Sequence, residues 1–150
     1  MSALTDAWQG ALAAEHRASF AYGLVGAQLH GTSDIALVIA CSDQHETLRN
    51  TTEAAMTSSR LDPAPPAADY PDLYPVSTAA QARALASRVE DDCASAWRFL
   101  YSAAASTTGP LPTKLRASAQ SALTASAVRA TKWARVARPP APTVAFPGLP

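Results

Sequence analysis

The residues best suited to chemistry lie in the middle of segments that are otherwise rich in alanine and apolar residues. When the flanking sequence is given helical periodicity, Glu15, His45, Arg49 and Glu90 all fall on inward positions. The seam of the first segment reads Trp8, Leu12, Glu15, Ser19, Tyr22 and Gly26. Antiparallel packing would bring these mid-helix residues to one level. The sequence therefore predicts a buried polar layer made of Glu15, Tyr22, His45, Arg49 and Glu90.

Buried carboxylates decide what such a layer can do. A carboxylate without a partner costs on the order of several kcal/mol, so Glu15 and Glu90 need a counter-charge, hydrogen-bond donors or a metal ion. We favour a structural polar core in which the planar guanidinium of Arg49 bridges both carboxylates. His45 and the Tyr22 hydroxyl would then complete the hydrogen bonds. This interpretation predicts no catalytic residue and no cofactor.

A di-metal carboxylate site is the first alternative. It needs a Glu on each of two helices and a Glu-x-x-His on each of the other two. Glu46 is followed three residues later by Arg49 rather than by a histidine, and residues 113–137 contain no Asp, Glu, His or Cys. The count of ligands therefore argues against this site.

A mononuclear site is the second alternative, and the sequence leaves it open. Glu15, His45 and Glu90, with Asp92 nearby, make a mixed nitrogen and oxygen set that suits iron, manganese or zinc. The permanent charge of Arg49, one turn from His45, would repel the metal unless that side chain turned outward.

Four helices are expected to position these residues, because helical periodicity dominates and strand-like alternation is nearly absent. They span about residues 4–29, 34–60, 78–106 and 113–137. Residues 61–77, LDPAPPAADYPDLYPVS, contain five prolines and cannot be helical throughout. This segment is long enough to run most of the length of a helix, which predicts an all-α, ferritin-like four-helix bundle with a long crossover between helices 2 and 3. A segment that folded back on itself would instead keep a simple up-down-up-down topology.

The domain organisation follows from these elements. We expect one bundle over residues 1–138 and an extended proline-rich tail over residues 139–150. Phe146 and Leu149 predict that the tail straps over its own bundle or over a second subunit.

Charge and composition limit the classes of partner. The chain of 150 residues has a formal net charge of zero, and no segment has the length and apolarity of a membrane span. All acids lie at or before Asp92, so the fourth helix is basic, but it carries no nucleic-acid motif. Cys41 and Cys93 are expected to be small core residues. These features predict a cytoplasmic protein that binds neither nucleic acid nor membrane.

Several segments resemble a known family. They are AAEHRASFAYG, RVEDDCASAWRFL, RATKWARV and the final AFPGLP, together with the pair His45 and Arg49. This set is similar to the small alanine-rich ferritin-like proteins of actinobacteria, a domain family of unknown function. The resemblance spans nearly the whole chain and implies a ferritin-like bundle paired as a homodimer, with no established reaction. The matched positions are Glu15, His16, Tyr22, Arg49 and Glu90.

Two functional classes stay open at this point. The first is a non-enzymatic helical module in which a former metal site has become the polar core. The second is a redox or storage protein that binds iron or manganese through Glu15, His45 and Glu90. We favour the first class.

Overall fold

Four long helices account for most of residues 2–137 and 147–148, which are the residues that the computed structural model describes. The helices are α1 (Ala3–Leu29), α2 (Ile35–Ser58), α3 (Ala79–Ala105) and α4 (Pro110–Ala137), with a short 3-10 turn at Pro71–Leu73. These described residues contain no strand. The predicted all-α class and four-helix bundle are confirmed.

Side-chain caps and proline set the helix starts. The Ser2 hydroxyl accepts a hydrogen bond from the Thr5 amide, and the Thr78 hydroxyl accepts one from the Gln81 amide. Helix α4 begins at Pro110, three residues before the predicted start. Proline is well suited to a first helical turn, because its fixed φ is already helical and its missing N–H would have no partner there.

The hydrogen bonds between helices fix their directions. Tyr22 pairs with Glu90 and Glu15 pairs with Trp97, so α1 and α3 are antiparallel. Near the start of α2, Asp34 pairs with Arg83 near the start of α3, at 2.8 Å between Oδ2 and Nη2. Further along both helices, His45 lies beside Glu90, so α2 and α3 are parallel. The chain must therefore travel the length of the bundle between them, which excludes the up-down-up-down alternative.

This crossover lies over the outer face of α1. The Gln9 side-chain amide donates to the Asp62 carbonyl and accepts from the Ala64 amide. Further along, the Phe20 ring packs on Tyr70, with ring centroids 5.2 Å apart. The crossover is therefore attached to α1 by specific contacts over nearly half the length of that helix.

An ionic contact holds the far end of the crossover. Arg17 of α1 forms salt bridges with Asp72 of the crossover and with Asp92 of α3. The hydrogen bond from Arg17 keeps the pKa of the Asp72 carboxyl below its usual value. Next to it, Leu73 is buried in the core.

Alanines and a few large side chains make the core. Alanines fill close helix contacts, including Ala11, Ala18, Ala21, Ala82, Ala86 and Ala119. Both cysteines, Cys41 and Cys93, are free and buried, as predicted.

The predicted tail, residues 139–150, lies outside the described residues apart from Pro147 and Gly148. Gly148 packs against α3 with a φ of +82°, and a Cβ added there would lie 2.8 Å from the Ala94 carbonyl oxygen. Position 148 therefore requires glycine. Over the described part of the chain, every helix falls short of the apolar length that crossing a membrane would take.

Removing the Arg17 charge should loosen the crossover. In Arg17→Gln, we expect chymotrypsin to cleave after Leu73 faster than in the wild type, as followed by mass spectrometry, whereas Tyr70 and Tyr74 are each followed by a proline that blocks cleavage. Arg116→Gln is the matched control, because the Arg116 side chain bonds within its own helix, to Thr113. Equal cleavage of both variants would show that Arg17 does not hold the crossover.

Candidate functional site

Three ionisable side chains from three helices meet at the centre of the bundle. Glu15 of α1, His45 of α2 and Glu90 of α3 are all fully buried. His45 lies between the two acids, with Nδ1 at 2.7 Å from Glu15 Oε2 and Nε2 at 3.0 Å from Glu90 Oε1. The structure thus brings these three predicted residues together.

The protonation of His45 follows from this geometry. An ionised carboxylate can only accept hydrogen bonds, so both ring nitrogens of His45 must donate, which makes the ring an imidazolium. Burial by itself would lower the pKa of His45. The hydrogen bonds and charges of Glu15 and Glu90 outweigh it and raise that pKa to about 9.

A fourth charged residue, which was not predicted for this layer, completes the cluster. Arg129 of α4 donates from Nε to Glu90 Oε2 at 2.8 Å, and its side chain is only 4% exposed. Two carboxylates and two cations then balance. We refer to Glu15, His45, Glu90 and Arg129 as the buried charge network.

Neutral side chains satisfy the remaining oxygens. The Tyr22 hydroxyl donates to Glu90 Oε1 at 2.6 Å and accepts from the indole N–H of Trp133 at 2.8 Å. On the other side, the indole N–H of Trp97 donates to Glu15 Oε1 at 2.7 Å. Each carboxylate oxygen therefore has a donor. Burial, followed by the Glu90 charge, raises the pKa of the Tyr22 hydroxyl, so it stays protonated.

The prediction that Arg49 bridges the two carboxylates is wrong. Its guanidinium bonds to Asn50 and Glu46 on the outer side of α2, and its side chain is 25% exposed. The physical reason is charge balance. With His45 protonated and Arg129 on Glu90, a further buried cation would have no carboxylate left to neutralise it.

The inward position of Arg129 is visible in the spacing of the buried residues of α4. The buried positions of α4 include Leu115, Ala119, Ala122, Ser126, Arg129 and Trp133, which are spaced by threes and fours. That spacing places Arg129 on the inward seam, whereas its basic neighbour Lys132 lies off the seam.

Two other predicted residues lie away from the network. Asp92, named as a further metal ligand, is exposed and paired with Arg17. His16 is buried beneath the crossover, where Nε2 lies 3.1 Å from the Ala64 carbonyl and 3.5 Å from Glu53. His16 therefore contacts the crossover rather than the polar layer.

One subset of these residues has the spacing of a metal site. Ligand atoms of Glu15, His45 and Cys93 all lie within 4.8 Å of one another. Burial and the neighbouring carboxylate charges raise the pKa of the Cys93 thiol well above its usual value. A metal would therefore have to displace a proton from the thiol as well as one from the imidazolium.

Comparisons with known proteins give a family and a fold. Residues 7–150 match a family described as "Domain of unknown function (DUF4439)". The chain is similar to the crystal structure of a conserved hypothetical protein, rv2844, from Mycobacterium tuberculosis, at 36% identity and a TM-score of 0.80. That match covers 90% of this chain and 97% of the other. A search of curated proteins finds no match.

The two arginines give a direct test of the corrected assignment. Arg129→Met should lower the free energy of unfolding by about 3–5 kcal/mol, because it leaves Glu90 buried without its cation. Arg49→Met should change it by no more than about 0.5 kcal/mol, since that side chain lies at the surface. Urea denaturation measures both. A larger loss from Arg49→Met would contradict the assignment.

The raised pKa of His45 predicts a loss of stability in mild alkali. Below about pH 6.5 the ring is protonated in both the folded and the unfolded chain, so its full contribution is present. As the pH rises towards 9, the unfolded chain loses the proton first and the free energy of unfolding falls, by on the order of 3 kcal/mol.

Urea denaturation at pH 6 and pH 9 checks this expectation. His45→Gln is the control, because it lacks the titrating ring and should show a flatter dependence on pH. If the wild type is as flat as the variant, then His45 is not the imidazolium described here.

Proposed function

We propose that this chain, which belongs to the family described as "Domain of unknown function (DUF4439)", is a non-enzymatic helical-bundle protein with a metal-free polar core. In this proposal it is a ferritin-like bundle in which the buried charge network stands in place of a metal site. Its role is that of a binding or scaffolding module.

The double engagement of His45 is the observation that carries the proposal. Both ring nitrogens face carboxylate oxygens, at 2.7 and 3.0 Å, so neither offers a lone pair to a metal. A metal ligand must be deprotonated, and the pKa of this ring is raised to about 9. Arg129 adds a permanent positive charge on the second carboxylate. Each feature makes binding of a cation less favourable.

The topology supports the ferritin-like part of the proposal. One long crossover joining two helical hairpins is the arrangement of ferritin-like bundles. In di-metal members of that class every helix supplies ligands, whereas α4 here supplies Ser126 and Arg129 to the layer. A guanidinium in place of a ligand is consistent with a site that has lost its metals.

A metal-binding function is the second candidate, and one observation favours it. Glu15, His45 and Cys93 could supply one oxygen, one nitrogen and one sulfur ligand within a small volume. The thiol would shift the preference from iron or manganese towards zinc. This set differs from the one expected from sequence, since Cys93 takes the place of Glu90.

Assembly and location are further parts of the proposal. Two buried free cysteines suit a reducing compartment, which supports a cytoplasmic location. The homodimer implied by the family resemblance stays a prediction, and sedimentation analysis of the purified chain tests it.

Metal analysis of the untagged protein tests the proposed function. We expect far less than one equivalent of iron, manganese or zinc at pH 7, and no rise in melting temperature when these ions are added. Stoichiometric metal that is lost in Glu15→Ala would overturn the proposal.

Cobalt(II) distinguishes the second candidate. A charge-transfer band from thiolate to cobalt that disappears in Cys93→Ser would establish the site formed by Glu15, His45 and Cys93. Cys41→Ser is the matched control, because it removes the other buried thiol and leaves this site intact.

A further inference from the structure

The bundle is open along one side, between α2 and α4. Helix α1 packs against α2 and α3, and α3 packs against α4, whereas α2 and α4 make few close backbone contacts and are linked by the hydrogen bond from Arg129 to Gln44. The space between them is a groove of about 550 Å³, open to solvent. Its lining residues include Asp43, Gln44 and Leu48 on α2, and Ala122, Ala125 and Arg129 on α4.

The groove is shallow, elongated and mostly apolar. Its volume lies within the roughly 300–1,000 Å³ usual for small-molecule pockets. Along α4 it extends from Ser118 to Arg129, roughly 16 Å at 1.5 Å per residue. Leu48, Ala122 and Ala125 provide an apolar strip, bordered by hydroxyl groups. An elongated apolar body would fit this strip.

One end of the groove carries a buried guanidinium with unused donors. Arg129 lines the groove, although the residue is almost fully buried. Its three hydrogen bonds within the described residues run from Nε to Glu90, from Nη1 to Gln44 and from Nη2 to Ser126. A guanidinium has five N–H donors, so each terminal nitrogen keeps one N–H without a partner in the described part of the chain.

We propose that this groove binds an amphipathic monocarboxylate. The apolar body would lie along Leu48, Ala122 and Ala125, and the carboxylate would accept hydrogen bonds from the spare donors of Arg129. Arginine matches a carboxylate in geometry and gives charge-assisted hydrogen bonds. Glu90 already neutralises this guanidinium, and the added negative charge is tolerated because the groove is open to solvent. The Asp43 carboxylate at the rim disfavours heads with more than one negative charge.

This inference goes beyond the proposed function and depends on it only through the position of Arg129. Metal analysis and binding to the groove are separate measurements. A metal could be found while the groove still binds a carboxylate, and the groove could fail to bind while the core is metal-free.

Three probes with the same alkyl chain but different head groups test the chemistry of the head group. Isothermal titration calorimetry of the full-length protein compares an anionic, a neutral and a cationic head, using decanoate and decylammonium below their micelle concentrations and decanol below its solubility limit. We expect decanoate to bind about tenfold or more tightly than either of the others. Equal affinities for the three, or no binding of decanoate, would overturn the proposal.

A matched pair of variants tests the location. Ala125 lines this groove, whereas Ala127 lines a different groove, between α3 and α4, and both alanines are half-buried. Ala125→Phe fills the proposed site and should abolish decanoate binding, while Ala127→Phe should retain it. Circular dichroism confirms that each variant is folded. Equal behaviour of the two variants would overturn the assignment.

Two further measurements do not depend on variants that might unfold. In the wild type, decanoate should shift the methyl NMR signals of Leu48, Ala122 and Ala125, and not that of Ala127. Sedimentation identifies the competing occupant. A wild-type dimer that Ala125→Phe dissociates would show that a second copy of the chain fills the groove, and would replace the ligand proposal.

Discussion

Balance of charge at the centre of the bundle is the constraint on which the rest of the structure depends. Two carboxylates are buried there. Leaving either one without a counter-charge would cost free energy comparable to a large part of the stability of a small domain. An imidazolium between them and a guanidinium on one of them cancel the charge. The hydrogen-bond partners come from all four helices, so the layer also fixes the register of each helix against the others.

The surroundings of the layer follow from the same constraint. Small alanines bring the helices close enough for short hydrogen bonds, and two tryptophans and a tyrosine supply donors while filling volume. Where α2 and α4 do not close, the guanidinium of Arg129 forms part of the groove wall. Arg129 therefore neutralises Glu90 inside the bundle and also forms part of the wall of the open groove.

Much of this arrangement could be predicted from the sequence, because periodicity and proline content report on it directly. The four helices, the inward placement of Glu15, His45 and Glu90, and the crossover follow from spacing and from residues 61–77. The residue that supplies the counter-charge could not be predicted in this way. Arg49 and Arg129 both lie near an inward seam, and the choice between them depends on the protonation of His45, a long-range property that a single helix does not encode. The role of Cys93 beside the acids likewise depends on packing between helices.

The pairing of charges has a consequence for how the chain can be divided. The hairpin of α1 and α2 holds one acid and one cation, Glu15 and His45, and the hairpin of α3 and α4 holds Glu90 and Arg129. Within the buried charge network each half is therefore electrically self-sufficient, and the hydrogen bond from His45 to Glu90 joins the two halves. Nearer the surface, the salt bridges of Arg17 with Asp92 and of Arg83 with Asp34 also join them. A cut in the crossover, or an exchange of hairpins between two copies, would leave no buried ion of this network without a counter-charge in its own half. The bundle is in this sense modular at the level of its helical hairpins.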